Sequence, residues 1–136
     1  MNKKIGVILV GHGSNEKYNK ELIEYCAEKL RSYYDYVTYA FIQINEPLLN
    51  NVLSEVLKKD LDEIVIQPVF LARGTHVDYD IPKILGLSKG EKIKIINSGN
   101  KKVKIIYSNP IGKDNRIVDI LHDRIKESLK IEDSSN

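Results

Sequence analysis

The sequence predicts an α/β fold of the flavodoxin-like, doubly wound kind. It is a three-layer sandwich with a four-stranded parallel sheet of order 2-1-3-4, helices on both faces, and room for one short extra edge strand. Three observations predict it. Short apolar runs alternate with segments of helical periodicity along the whole chain, the pattern of parallel strands joined by right-handed crossover helices. The first run, Ile5–Val10, shows no polar alternation, as expected of a strand buried on both faces. The 136 residues suffice for one core and fall short of two ordinary ones. Residues 1–130 are therefore expected to form a single domain, with 131–136 a frayed tail.

Each element follows in turn. After Ile5–Val10 come Gly11-His12-Gly13-Ser14, a tight turn that presents an imidazole at the strand's carboxyl end. Glycine there is expected to let a ligand approach the main chain. Ser14 or Asn15 is the expected cap of a helix from about Lys17 to Ser32, whose apolar face is Leu22, Ile23, Cys26, Ala27 and Leu30. Tyr36–Phe41 reads as the second strand, with the surrounding tyrosines as packing. Glu46-Pro47 opens a second helix, since proline fits a first turn, and Leu48, Leu49, Val52, Leu53, Val56 and Leu57 form its buried stripe. Ile64–Leu71 is the third strand, with Pro68 marking a bulge or an unpaired end. Asp80-Ile81-Pro82 starts a short third helix, Asp80 as its cap, which stops at Gly86. Ile93, Ile95 and Ile96 form the short edge strand, turning at Asn97-Ser98-Gly99-Asn100, and Val103–Tyr107 forms the last parallel strand. A final helix, about Asn115 to Leu129, carries Ile117, Val118, Leu121, Ile125 and Leu129 on one side.

Composition narrows the function. With 21 basic and 19 acidic residues the net charge is +2, which gives no nucleic-acid footprint. One cysteine, Cys26, excludes an internal disulfide and a cysteine-rich zinc site; it reads as a small core residue. No apolar run is long enough for a bilayer, and the amino terminus lacks the shape of a signal peptide, so no membrane is expected and a cytoplasmic protein is the default.

In the 2-1-3-4 order, strands 1 and 3 are neighbours at the topological switch point, where ligands bind beyond the strands' carboxyl ends. His12 follows strand 1 and His76 follows strand 3, so topology alone puts both on one rim. Two imidazoles suit a divalent metal such as cobalt, nickel, iron or zinc. Two ligands leave an ion under-coordinated, which fits transient handling or a second subunit. Gly13 and Ser14, at a helix amino terminus that attracts carboxylate or phosphate, and Arg73, Gly74 and Thr75, in the loop before His76, are the candidate substrate binders, Arg73 suited to pair with a carboxylate. His122 has no such context. A histidine phosphatase would need an arginine where Gly11 stands. A non-enzymatic metal-binding module or metallochaperone remains the alternative to an enzyme.

Several motifs resemble one family. Gly11-His12-Gly13-Ser14, Glu46-Pro47, Pro68 to His76 followed by Asp80-Ile81-Pro82, Asn109-Pro110-Ile111-Gly112 and the Asp114 to Arg124 segment are similar to the small archaeal CbiX-type sirohydrochlorin chelatases. The resemblance implies the chelatase-like variant of the fold and ATP-independent insertion of cobalt or nickel into sirohydrochlorin, a tetrapyrrole edged with carboxylates, for cobalamin or the nickel coenzyme of methanogenesis. The metal is then substrate, and no permanently bound cofactor is expected. It implies His12 and His76 as catalytic, metal-facing residues, and a homodimer in which two half-size domains bring four histidines together. Two departures stand out. Asn97 to Lys102 occupies the place of a histidine-rich insertion, and Gln43 stands where some members have glutamate.

Overall fold

Ile5–Gly11 forms β1, the axis of the sheet, in a computed structural model that describes residues 2–135 and side chains through residue 131. Every residue from Gly6 to Gly11 is buried, because β1 pairs in parallel with β2 (Tyr36–Phe41) on one side and β3 (Glu63–Pro68) on the other. The remaining elements are α1 (Lys17–Leu30), α2 (Leu49–Leu57), a π-helical turn (His76–Asp80), α3 (Ile81–Leu85), β4 (Ile93–Ser98), β5 (Lys101–Tyr107) and α4 (Asn115–Ser135).

The sheet order is β2-β1-β3-β5-β4. Its four parallel strands have the expected 2-1-3-4 order, and β4 is the extra edge strand, antiparallel to β5. The sheet is thus mixed and five-stranded. The tight turn at Gly99-Asn100 forces antiparallel pairing, since a parallel partner would need a long crossover.

Two cores lie on opposite faces. Ile64 and Ile66 of β3 and Val103, Ile105 and Tyr107 of β5 pack under α2 and α3 with Leu49, Val56, Ile81 and Leu85. On the other face Val7, Leu9, Val37 and Phe41 pack under α1 through Ile23 and Ala27. Cys26 is a partly buried member of that core, while Leu22, expected to be inside, is 54% exposed.

Three local expectations are corrected. The cap of α1 is Glu16, not Ser14 or Asn15, and α1 ends at Leu30. Glu46-Pro47 does not open α2: the peptide bond is cis and the helix begins two residues later, after Leu48. Asp80 does not cap α3 from outside. The π-helical turn runs straight into α3, so Asp80 is already helical and its carboxylate is used elsewhere. The last helix is drawn to Ser135, through most of the expected tail at 131–136; the side chains from 132 onward and all of Asn136 lie outside the described residues. Among the described residues no helix is long and apolar enough to cross a membrane.

Candidate functional site

The carboxyl ends of β1, β2 and β3 are laced together. Val69 N–H donates to Val10 O (2.8 Å), Ile42 N–H to Gly11 O (3.0 Å) and Gln43 N–H to His12 O (3.2 Å). These bonds continue the sheet's ladder past the strands and hold three loops in one rim. His12 and His76 meet on that rim, with ring centroids 4.2 Å apart and planes inclined by 45°. Phe70 flanks His76 at 6.1 Å.

Each imidazole has a partner that fixes its chemistry. Asp80 Oδ2 lies 2.6 Å from His76 Nδ1. A carboxylate only accepts, so Nδ1 carries the hydrogen and Nε2 presents its lone pair. The π-helical turn makes this contact: residues four apart share a face, and the pair forms before the chain tightens into α3. Gln43 Nε2 lies 3.0 Å from His12 Nε2. The amide N–H donates to the ring lone pair, so an ion arriving at His12 Nε2 must displace Gln43. A third support is deeper. Tyr107 Oη donates to Val77 O at 2.6 Å and ties the His76 turn to β5; burial first, then the Asp78 carboxylate, pushes this phenol up to about 12.

Among the described residues no cluster of three or more histidine, cysteine or acidic side chains could hold a metal. One chain therefore offers an ion two imidazoles, and an ion so held keeps water or other ligands in its remaining positions. That arrangement suits receiving and releasing a metal more than storing it.

A family model for CbiX matches residues 6–128. The chain belongs to the CbiX family. Among its relatives, the sirohydrochlorin cobaltochelatase of Methanococcus aeolicus is 37% identical, over 88% of this chain and 96% of its own. That of Methanothermobacter thermautotrophicus is 35% identical over 93% and 94%, and that of Sulfolobus acidocaldarius 37% over 96% and 98%. Among solved structures, the sirohydrochlorin chelatase SirB of Bacillus subtilis subspecies spizizenii, in complex with cobalt, superposes with a TM-score of 0.75 at 23% identity. It covers 91% of this chain, which spans 50% of SirB. A CbiX protein from Marinobacter aquaeolei VT8 superposes with a TM-score of 0.65, matching 93% of this chain and 98% of its own.

The other candidate residues of this CbiX chain are placed less simply. Ser14 N–H is not free for an anion: it donates to Asn45 Oδ1 at 2.7 Å, and Ser14 Oγ accepts from Glu16 N–H at 3.1 Å. Only the Ser14 hydroxyl proton remains to offer. Gly13 is buried, and the space a Cβ would fill there is taken by the backbone carbonyl of Gln43 rather than by a ligand. With φ at 99°, Gly13 serves the close packing of two loops. Arg73 is exposed but ion-paired, Nε to Asp78 Oδ1 at 3.0 Å. It lines a groove of about 320 Å³ with Lys89, Lys92 and Tyr107 that includes neither histidine. Gly74 and Thr75 are exposed; Gly74 O accepts Asp78 N–H at 2.8 Å, closing the first turn of the His76 segment.

Four supporting residues escaped the sequence reading: Asp80 as a partner, Gln43 as a partner, Asn45, and Tyr107 as the donor to Val77. The first had a usable signal in the four-residue spacing from His76. Asn45 had none beyond its place in a loop where Ile44 takes a positive φ of 66°.

Proposed function

We propose that this protein inserts a divalent metal ion, cobalt or nickel, into sirohydrochlorin without ATP, and that His12 and His76 carry the reaction. The observation that carries the reading is the juxtaposition of the two imidazoles at the switch point, one of them backed by a carboxylate. Family membership and the chelatase names of the relatives support the same reaction. A non-enzymatic metal carrier would share the two imidazoles, but the relatives named above are enzymes.

Metal insertion removes water from the ion and two N–H protons from the macrocycle. His76 Nε2 is the basic atom at the rim; it takes one of the two protons, stabilised by Asp80 across the ring, and the same atom of a second copy takes the other. His12 acts on the ion once Gln43 swings aside, and Gln43 returns as the ion leaves. The hydroxyl of Ser14 and the guanidinium of Arg73 orient the carboxylate-edged rim of the macrocycle; Arg73 retains its terminal nitrogens for this while Nε stays on Asp78. Two ligands per chain and a fold spanning half of SirB support a two-fold pair of copies, so that the macrocycle lies between two histidine pairs.

The test is an absorbance assay of metal-free sirohydrochlorin with cobalt or nickel and no ATP. The spectrum of the metallated ring is expected to grow in faster with enzyme than without. A rate equal to the uncatalysed one with both metals would overturn the reading.

A further inference from the structure

The groove of about 320 Å³ that Arg73 lines opens behind the His76 turn. His76 and Asp80, four residues apart, share one face of that turn, so Asp78, midway between them, is carried to the opposite side. The groove lies there. The turn gives it Val77 and Asp78, the segment before β4 gives Lys89 and Lys92, and the end of β5 gives Tyr107. Each wall is tied down. Asp78 N–H donates to Gly74 O and Tyr107 N–H to Lys92 O, both at 2.8 Å. Gln67 Nε2 donates to Asn109 O at 2.8 Å, which holds the loop after β5. Walls fixed in this way need little ordering when a ligand arrives.

Charge in the groove is unbalanced. Three cations, Arg73, Lys89 and Lys92, line it against two carboxylates, Asp78 and Glu91. Both carboxylates are engaged: Asp78 Oδ1 accepts from Arg73 Nε and Glu91 Oε1 accepts from Ser88 N–H, each at 3.0 Å. Lys92 Nζ has neutral partners instead. It donates to Asn109 Oδ1 at 3.0 Å and stands 4.7 Å from the centre of the Tyr107 ring. Among the described residues neither Lys89 nor Lys92 has a carboxylate within ion-pair distance, and Arg73 keeps its terminal nitrogens. Desolvation first, then the charge of Arg73, lowers the Lys92 pKa from the ordinary lysine value, with Asp78 acting the other way. Positive charge is crowded here, and an anion relieves it.

The other walls decide the kind of anion. Val77, Pro82 and Pro110 are apolar, so a bare inorganic ion leaves them wet. A carbon skeleton covers them while its carboxylates reach the cations, the usual division of labour in a small-molecule site. The guanidinium fork also matches the two oxygens of a carboxylate. We propose that this groove binds a small aliphatic polycarboxylate, one carboxylate on the terminal nitrogens of Arg73 and another on Lys92 and Lys89. The site is distinct from the metal-handling rim. It contains neither histidine and shares only Arg73 with the groups that orient the macrocycle.

Isothermal titration calorimetry on the full chain, without metal and at low ionic strength, tests it with tricarballylate as the probe. Saturable binding at a single site per chain is expected, with inorganic phosphate markedly weaker. Lys92→Met should weaken tricarballylate roughly tenfold, the value of one charge-assisted contact, while Lys58→Met, at the end of α2, binds as wild type. Circular dichroism checks folding, and Lys89→Met, at an exposed position, carries the test if Lys92→Met does not fold. Metal-free sirohydrochlorin is titrated in parallel, and its affinity is expected to be the same in wild type and Lys92→Met. Absence of saturable tricarballylate binding overturns the proposal, as do lysine variants that bind it as wild type does. Phosphate binding as tight as that of tricarballylate also overturns it, since the site then reads charge alone. A macrocycle affinity that falls as far as that of tricarballylate in Lys92→Met overturns it too, by giving the groove to a carboxylate arm of the macrocycle. No metal or turnover enters these titrations, so failure of the chelatase reading leaves the groove's ligand standing, and the reverse.

Discussion

Replacing Asp80 by Asn separates a metal-facing His76 from a merely packed one. The change keeps the shape and removes the charge. The contact is short, 2.6 Å to Nδ1, and both side chains are about 40% exposed. A charge-assisted hydrogen bond of this kind contributes about 1.5–3 kcal/mol in a protected place, so with solvent screening about 1–2 kcal/mol is expected here. Since about 1.4 kcal/mol is a factor of ten, the rate should fall roughly 5- to 30-fold, toward the lower end of what loss of a carboxylate behind a metal-facing histidine costs. The asparagine amide also has a donor end. When it faces Nδ1 it moves the ring hydrogen to Nε2 and removes the lone pair from the rim. Initial rates of cobalt insertion measure the first effect, and ¹⁵N NMR of the imidazole reads the tautomer. A variant with a rate within about twofold of wild type, against the roughly fivefold or more expected here, would refute the reasoning, and an unchanged tautomer would reduce the Asp80 contact to local helix packing.

Four other outcomes are expected. His12→Ala and His76→Ala should each lower the insertion rate by about 10²–10⁴ if they act on protons and metal together, with unchanged circular dichroism. Gly13→Ala forces a Cβ onto the Gln43 carbonyl at a φ of 99° and should cost on the order of 1–3 kcal/mol in urea unfolding. Tyr107→Phe leaves the buried Val77 carbonyl without its donor, a loss of about 1–3 kcal/mol. The same phenol has a raised pKa in the folded state, so its stabilising effect is full below the ordinary tyrosine range and fades as pH rises toward about 12; spectrophotometric titration should show one tyrosine ionising late. The hydrogen bonds and charges of Lys101 and Lys4 hold Asp60 down at about 2, and this stabilisation is present above the ordinary carboxylate range and lost as pH falls through about 2. The group is solvent-exposed, so added salt should erase most of the effect, and Asp60→Asn should flatten the acid limb of the melting temperature.

The parallel order of the sheet was legible because it follows from rules of hand and connection acting on a clear alternation of elements. Those rules also placed His12 and His76 together before any coordinates, since neighbouring strands at a switch point leave little choice. Element ends were less legible for a physical reason. Glu46-Pro47 and Asp80-Ile81-Pro82 both carry the marks of a helix start, but those marks report what the backbone tolerates. At Pro47 the chain bends first and coils later; at Asp80 a wider turn has already begun.

The partners of the two imidazoles were illegible for a deeper reason. Glycine and proline signal a local need for particular angles, whereas Gln43 reaches His12 from a loop set by β2, and only the assembled rim brings them within 3.0 Å. Gly13 shows the same limit from the other side. Its freedom looked like space for a ligand and is space for the Gln43 carbonyl, so one loop contact explains both the glycine and the position of the amide that guards His12. α4 extends the point to packing. Val118, Leu121, Ile125 and Leu129 were correctly read as one apolar side, yet they stand open to solvent. Periodicity records that a surface must be covered, and it carries no information on which chain supplies the cover.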